Sequence, residues 1–168
     1  MFIRTKKINN KLYGYLVKNT WTPKGSRQKV VGYLGKVHQL EQEQDHEFTT
    51  DHKDPQTIAK QLILWELEKH GFSQYPDNKH QLINNFIIYN KKNNSLKERK
   101  KDILLKINEG HLCSHSLKIL FKELDKGPLK EDQDPRERAT ELAEAFTNAG
   151  IQIPQDIFIQ VFQTITGK

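Results

Sequence analysis

The sequence predicts an α+β protein: an N-terminal three-stranded antiparallel sheet followed by a mostly helical body with a short β element. Two observations lead to this prediction. Three segments rich in Tyr, Val, Ile and Leu lie within the first forty residues and are separated by turn residues. After residue 53, apolar residues recur at helical spacing in four segments, three of which begin at a proline. The predicted organisation is a β module (1–40), a linker (41–53) and a mainly helical domain (54–168) that ends in a helical hairpin (134–166).

Composition limits the class of protein. The chain has 168 residues, of which 35% are hydrophobic and 29% charged, so it can bury a core beneath a very polar surface. Its single cysteine, Cys113, cannot form a disulfide within the chain, as is usual for proteins of a reducing compartment. No segment approaches the ~18 apolar residues that a membrane span requires. We therefore expect a cytoplasmic protein without membrane association.

Turn residues define the strands of the predicted sheet. Asn9 and Asn10 tolerate the positive φ angles of a two-residue type I′ turn, and a second turn region contains Pro23 and Gly25. The predicted strands are residues 2–8, 11–18 and 27–34. The Asn-Asn turn also predicts the register of the first two strands. Its opposed pairs are Ile3 with Leu16, Arg4 with Tyr15 and Lys6 with Tyr13.

Side-chain alternation along these strands predicts two different faces. One face is mainly apolar and can dock on the rest of the protein. Its members are Ile3, Thr5, Leu12, Gly14, Leu16, Val30, Gly32 and Leu34. The other face combines cations with tyrosines, and its members are Arg4, Lys6, Lys11, Tyr13, Tyr15, Arg27, Lys29 and Tyr33. Val31 alone does not fit this alternation.

Charge is the strongest functional signal in the chain. The first forty residues carry nine Lys or Arg and no Asp or Glu, a net charge of +9. The whole chain has 27 basic and 21 acidic residues, which leaves 18 and 21, or −3, for the remainder. Such a segment attracts polyanions, because each cation placed on a phosphate releases condensed counterions. We expect non-catalytic binding of double-stranded DNA, in which the cations of the basic face contact phosphates or guanine edges and its tyrosines add contact area.

Other functions fit the same residues. A basic aromatic sheet also suits unpaired bases, so an RNA-binding or ribosome-associated factor is the first alternative. The second is a protein-interaction adaptor, since the C-terminal helices can form a homodimer or receive a protein partner. The third is an enzyme that uses Cys113 or His111. The basic face can also be the solvated side of a half-buried sheet, which is common in antiparallel sheets.

The N-terminal segment resembles a known family in three short runs. These are MFIR (residues 1–4), KLYGYLV (11–17) and RQKVVGYLG (27–35). Residues 1–40 are similar to the N-terminal segment of DDE-type insertion-sequence transposases, which precedes their catalytic domain. The resemblance implies DNA binding rather than chemistry, since the rest of the chain leaves little room for the catalytic core. The remainder resembles small archaeal proteins of unknown function at residues 108–113 and 153–158, which implies no activity.

Caps and apolar periodicity predict the elements of the body. Helices are expected over residues 55–70, 112–124, 135–149 and 154–165. Residues 82–89 predict a strand or hairpin that ends in a polar turn. Residues 97–101 form a second cationic stretch of net charge +3, which we interpret as a solvated loop or helix start.

The chain offers few residues for catalysis or metal binding. On a helix, His111 and His115 share a face at i,i+4 whereas Cys113 points elsewhere, so the three do not form a metal site. No recognisable oxyanion-hole or orienting residue accompanies Cys113. No phosphate-binding glycine loop follows a strand. We therefore expect no catalytic residue, no metal and no cofactor.

Overall fold

The computed structural model describes residues 1–130 and 132–167. Within these residues the chain forms nine β-strands and four α-helices. The strands are β1 (Phe2–Ile8), β2 (Lys11–Thr22), β3 (Gly25–Gln39), β4 (Ser73–Gln74), β5 (Gln81–Asn84), β6 (Ile87–Asn90), β7 (Ser95–Glu98), β8 (Lys101–Ile107) and β9 (Gly110–Leu112). The helices are α1 (Pro55–Lys69), α2 (Ser114–Leu124), α3 (Pro135–Asn148) and α4 (Gln155–Thr166).

The strands form one mixed sheet. Their order is β1-β2-β3-β8-β7-β6-β5-β4, with β9 paired to β8. Neighbouring strands are antiparallel except β3 and β8, which pair in parallel from Lys36 opposite Ile103 to Gln39 opposite Lys106. The expected fold class is therefore wrong. The three N-terminal strands continue into a larger sheet, and the body contributes six strands of its own instead of being mostly helical.

β5 and β6 form the hairpin expected over residues 82–89. The strands that the sequence did not reveal are either short or buried on both faces. β4, β7 and β9 have two to four residues each, too few to show alternation. β8 is longer, but its centre is buried on both faces, so Ile103, Leu104 and Leu105 are consecutive apolar residues and do not alternate with polar ones. The turns that join these strands place asparagines at positive φ, which such residues tolerate: Asn85, Asn94 and Asn108.

The predictions for the first hairpin and for the helices are confirmed. β1 pairs with β2 in the predicted register, with Arg4 opposite Tyr15. Asn9 and Asn10 have φ angles of 48° and 60°, as a type I′ turn requires. All four helices begin and end within two residues of the predicted positions. However, α3 and α4 do not form the predicted helical hairpin (134–166), because α3 packs mainly on α2 and α4 packs mainly on α1.

All four helices contribute to one core over β8. Ile103, Leu105 and Ile107 are no more than 2% exposed. The helices add buried side chains that include Leu62, Leu117, Leu142 and Val161. A smaller cluster attaches the N-terminal strands to the body, and its members are Val37, Leu104 and Cys113, with Ile3, Leu12 and Leu34 packed against them.

A buried polar network joins α1 to two distant loops. The Glu66 carboxylate is fully buried and accepts hydrogen bonds from Asn108 Nδ2 (2.9 Å) and from the backbone N–H of Gln152 (3.2 Å). Lys69 Nζ lies 3.5 Å from Glu66 Oε1 and 4.1 Å from the ring centroid of Trp65. The two buried charges are thereby paired, and α1 is tied to the β8–β9 turn and to the segment before α4.

The segment between β3 and α1 lies along α1. It contains no helix or strand between residues 40 and 54. The backbone N–H of Glu43 donates to the carbonyl of Lys69 (2.8 Å), and Trp65 Nε1 donates to the carbonyl of His46 (3.0 Å). The ring of Phe48 packs edge-on against Trp65 at a centroid distance of 5.6 Å. The expected linker is therefore bound to the body along its length.

Candidate nucleic-acid interface

The end of the β2–β3 hairpin forms a two-stranded arm, which we define as residues 18–29. β1 pairs with β2 only as far as Val17, and β8 pairs with β3 only from Lys36 onward, so neither strand of the arm has another neighbour. Five residue pairs give the arm a length of about 16 Å at about 3.3 Å per residue. Its residues are exposed except Thr22 and Gly25, which are half-buried. The arm is therefore an accessible β-ribbon.

A β-bulge decides which side chains share a face of the arm. The pairing of β3 with β2 shifts by one residue at Leu34 and again at Val31, neither of which has a partner in β2. Such a shift moves the following side chains to the face opposite to the one that simple alternation predicts. Val31, the residue that did not fit the predicted alternation, is the extra residue at the second bulge.

The predicted basic aromatic face is consequently divided between two faces. By register, one face keeps Arg4, Lys6, Lys11, Tyr13, Tyr15 and Tyr33, and we call it the tyrosine face. Arg27 and Lys29 lie on the other face, directly opposite Thr20 and Lys18. The expectation that all eight residues share one face is therefore wrong.

The tyrosines of the tyrosine face contact one another. The ring centroid of Tyr33 lies 5.5 Å from that of Tyr15 and 6.3 Å from that of Tyr13. Partial desolvation of the phenol, followed by the proximity of Tyr13 and Tyr15, raises the pKa of Tyr33. The guanidinium of Arg4 donates to the side-chain oxygen of Gln28 at the base of the arm. This face presents cations around a packed group of rings.

The opposite face of the arm concentrates positive charge, and we call it the cationic face. Lys18 lies directly across from Lys29, and Thr20 lies across from Arg27. Like charges in directly opposed positions repel and destabilise a sheet. Of the nine cations in residues 1–40, only Lys36 has a carboxylate within 4.0 Å among the described residues, that of Glu98 at 3.6 Å. Within residues 1–130 and 132–167, the charge of the cationic face is therefore not compensated by a carboxylate.

Trp21, Lys18 and Lys24 were not predicted as site residues. The predicted turn region covers residues 19–26, whereas the structure restricts the turn to Pro23 and Lys24. Trp21 is 83% exposed near the tip of the arm, on the face opposite to the cationic face. The signal available in the sequence was the high β propensity of Thr20, Trp21 and Thr22, which extends the strand beyond Lys18.

A second basic turn lies at the same end of the sheet as the arm. Arg99 and Lys100 form the β7–β8 turn with φ angles of 47° and 70°, and the parallel pairing of β3 with β8 directs this turn toward the arm end. Arg99 Cζ lies 5.3 Å from the ring centroid of Phe86, which is 67% exposed. Of the two interpretations of residues 97–101, the loop is correct for Arg99 and Lys100, and the helix start is wrong, because the flanking residues belong to β7 and β8.

The residues considered for metal binding or catalysis lie apart from the arm. Cys113 is buried and is the N-cap residue of α2. His111 and His115 line a cavity of about 180 Å³ beside the N-terminus. Burial and then the charge of Lys106 lower the pKa of His111 to about 4, so it is neutral at pH 7. In residues 1–130 and 132–167, no three His, Cys, Asp or Glu side chains are grouped so that they can hold a metal ion.

Comparisons of the chain with protein-family models, with curated proteins and with solved structures found no match. The resemblances to transposases and to archaeal proteins therefore stay predictions. No helix in the described parts of the chain combines the length and the apolar character needed to cross a membrane.

Proposed function

We propose that this protein binds double-stranded DNA without catalysing a reaction on it, and that the arm is the main contact. The observation that carries the proposal is the cationic face, where Lys18, Arg27 and Lys29 lie exposed and have no acidic partner within 4.0 Å in the part of the chain that the structure describes. A two-stranded ribbon fits a major groove about 12 Å wide and 8.5 Å deep. An arm of about 16 Å is long enough to reach the floor of such a groove.

The position of each cation along the arm suggests its role. Lys18 and Lys29 lie at the base, where a ribbon inserted into the groove meets the phosphate backbone. Arg27 lies nearer the tip, where its planar guanidinium can donate two hydrogen bonds to a guanine edge. A phosphate between Lys18 and Lys29 turns their mutual repulsion into two attractions. This gives the opposed lysines a physical reason to be paired.

The tyrosine face and the β7–β8 turn flank the arm. In the proposed complex, the tyrosine-face cations contact the backbone beside the groove, and the three tyrosines provide contact area: Arg4, Lys6, Lys11, Tyr13, Tyr15 and Tyr33. Arg99 and Lys100 face the same end of the sheet as the arm and supply further phosphate contacts. Because these contacts are to phosphates, they add affinity without sequence preference.

One observation favours a second candidate function. Trp21 is exposed near the tip of the arm, where a large indole can stack on an unpaired base. Base stacking on an aromatic side chain contributes about 1–3 kcal/mol per base. An RNA- or ribosome-associated factor that binds single strands is therefore the alternative, and the adaptor function is the outcome if neither kind of nucleic acid binds.

Fluorescence anisotropy with labelled duplex DNA, duplex RNA and single strands tests the proposal across a salt series. The arm variant Lys18/Arg27/Lys29→Ala is compared with the tyrosine-face variant Arg4/Lys6/Lys11→Ala, which removes the same number of charges. A third variant, Lys53/Lys130/Arg136→Ala, removes three exposed cations elsewhere. We expect the wild type to prefer duplex DNA. We expect the arm variant to lose the most affinity, and its log-log salt slope to become shallower by up to about 1.8, or 0.9 for each phosphate contact of Lys18 and Lys29. The salt slope of the third variant should not change.

Other outcomes separate the alternatives. Equal losses in all three variants would mean that only net charge matters, which contradicts a role for the arm. A preference for single strands that depends on Trp21 would select the second candidate. Weak binding that is the same for the wild type and the arm variant would remove nucleic acid as the main partner.

A further inference from the structure

Five lysines converge on a groove at the end of the sheet opposite to the arm. The groove lies between α1, α2 and the β6–β7 turn and has a volume of about 710 Å³. Its lysines come from three separate parts of the chain: Lys60, Lys91, Lys92, Lys118 and Lys122. Asp125 is the one carboxylate among the lining residues, so the lining carries a net charge of +4 (five minus one). Because β6, β7 and β8 alternate in direction, the β6–β7 turn lies at the opposite end from the turn at Arg99.

The described residues leave the charge of the lysines in this groove without a carboxylate partner. Across the described residues, none of the five ammonium groups has a carboxylate within 4.0 Å. The Asp125 carboxylate accepts a hydrogen bond from the side chain of Gln56. Lys118 and Lys122 lie four residues apart on α2, a spacing at which like charges destabilise a helix. A surface that binds no ligand gains no stability from like charges placed this close together.

Two asparagines between the lysines also present hydrogen-bond donors to the groove. The side-chain oxygen of Asn94 accepts from Tyr89 Oη (2.8 Å), and that of Asn93 accepts from Ser95 Oγ (2.7 Å). Their oxygens are thus engaged, and the amide NH₂ groups are the parts that remain to bind a ligand. Ser114, the first residue of α2, also lines the groove, and the partial positive charge of a helix N-terminus favours an anion there.

We propose that this groove binds consecutive phosphate groups. Cations and amide donors from three elements surround a space of the size that small ligands occupy, about 300–1,000 Å³. The required chemistry is a run of two or three linked phosphates, which is found both in a nucleic-acid backbone and in free polyphosphate compounds. The site lies at the other end of the sheet from the arm, so this proposal does not depend on the function proposed for the arm.

Isothermal titration calorimetry of the full chain with inorganic tripolyphosphate at low salt tests the site. The groove variant is Lys60/Lys118/Lys122→Ala, and the matched control is the arm variant Lys18/Arg27/Lys29→Ala, which also loses three exposed cations. We expect the groove variant to bind about tenfold more weakly than the wild type and the arm variant to bind like the wild type. Equal binding by the two variants, or no binding by the wild type, would overturn the proposal.

Thermal unfolding provides a second readout that does not depend on the calorimetric signal. Tripolyphosphate should raise the Tm of the wild type and of the arm variant but not that of the groove variant, because only a ligand that binds the folded state stabilises it. Without ligand, the groove variant should be at least as stable as the wild type, because the substitutions relieve repulsion between exposed lysines. A Tm rise of the same size in all three proteins would contradict the groove as the binding site.

The source of the phosphates is distinguished with a labelled single-stranded oligonucleotide. If the groove variant loses affinity for both tripolyphosphate and the oligonucleotide, the groove contacts a nucleic-acid backbone. If it loses tripolyphosphate binding and keeps its affinity for the oligonucleotide, the ligand is a free polyphosphate compound. Both results support a phosphate site, and loss of oligonucleotide affinity alone contradicts it.

Discussion

The two tryptophans show how position decides what an aromatic residue contributes. Trp65 lies on α1, where its indole N–H donates to the carbonyl of His46 and its ring lies under the ammonium of Lys69. Trp21 is 83% exposed near the tip of the arm and contributes little to packing. A large apolar side chain exposed on a polar arm indicates a surface that contacts a partner.

Replacement of Trp21 with Ala should therefore affect binding but not stability. We expect the free energy of unfolding in urea to change by no more than about 0.5 kcal/mol, because the side chain is exposed. Duplex DNA should quench tryptophan fluorescence in the wild type but not in the variant, where only Trp65 remains. The salt slope should stay unchanged, because indole carries no charge. A large loss of stability, or quenching that persists, would show that Trp21 does not report on the contact.

Glu66, in contrast to Trp21, is fully buried, so its replacement should affect stability. Glu66→Ala leaves the buried ammonium of Lys69 without its carboxylate, and Asn108 loses an acceptor. We expect a loss of about 3–5 kcal/mol in the free energy of unfolding, measured by urea denaturation. Glu68→Ala is the matched control on the same helix, because Glu68 is exposed. Similar small effects for both substitutions would mean that the buried pair does not stabilise the fold.

Among the elements, β3 has the most demanding geometry. Gly35 has a φ angle of 133°, and a Cβ at this position would lie 2.2 Å from the carbonyl oxygen of Asp102. Only glycine suits both this φ angle and this lack of space. The close approach of the Gly35 backbone to Asp102 allows β3 to pair with β8. Gly32 in the same strand is not among the glycines with a positive φ angle, and a Cβ at Gly32 would have no atom within 4 Å.

This contrast makes a matched pair of substitutions. Gly35→Ala should lower the free energy of unfolding by at least about 2 kcal/mol, because it combines backbone strain with a steric clash in the β3–β8 pairing. Gly32→Ala should change it by less than about 1 kcal/mol. Urea denaturation measures both values. If Gly35→Ala is as mild as Gly32→Ala, the close packing of β3 on β8 is not required for stability.

Elements with strong local signals could be predicted from the sequence. The type I′ turn at Asn9 and Asn10 and the N-caps at Asp54 and Asp134 depend on residues close to one another in the chain. The bulge at Val31 could not be predicted, because it depends on pairing with β2 across the hairpin. That one unpaired residue is the reason why the predicted site residues divide between two faces.

On the scale of the whole molecule, positive charge is concentrated at both ends of the sheet. The arm and the turn at Arg99 and Lys100 lie at one end, and the lysine groove lies at the other. Composition alone revealed the cations of the arm, because residues 1–40 contain no acid. The groove could not be found in this way, because its lysines are dispersed in sequence among acidic residues and converge only through the packing of α1, α2 and the β6–β7 turn.

The parallel pairing of β3 with β8 also has a consequence for biosynthesis. Each paired residue of β3 meets a residue made 67 positions later, as Lys36 meets Ile103. At about 5–20 residues per second, a ribosome needs about 3–13 s to supply that partner. The hairpins of β1, β2 and β3 form from local contacts within this interval. Until β8 arrives, the nascent chain carries an unprotected strand edge, and Lys36 on that edge opposes aggregation by its charge.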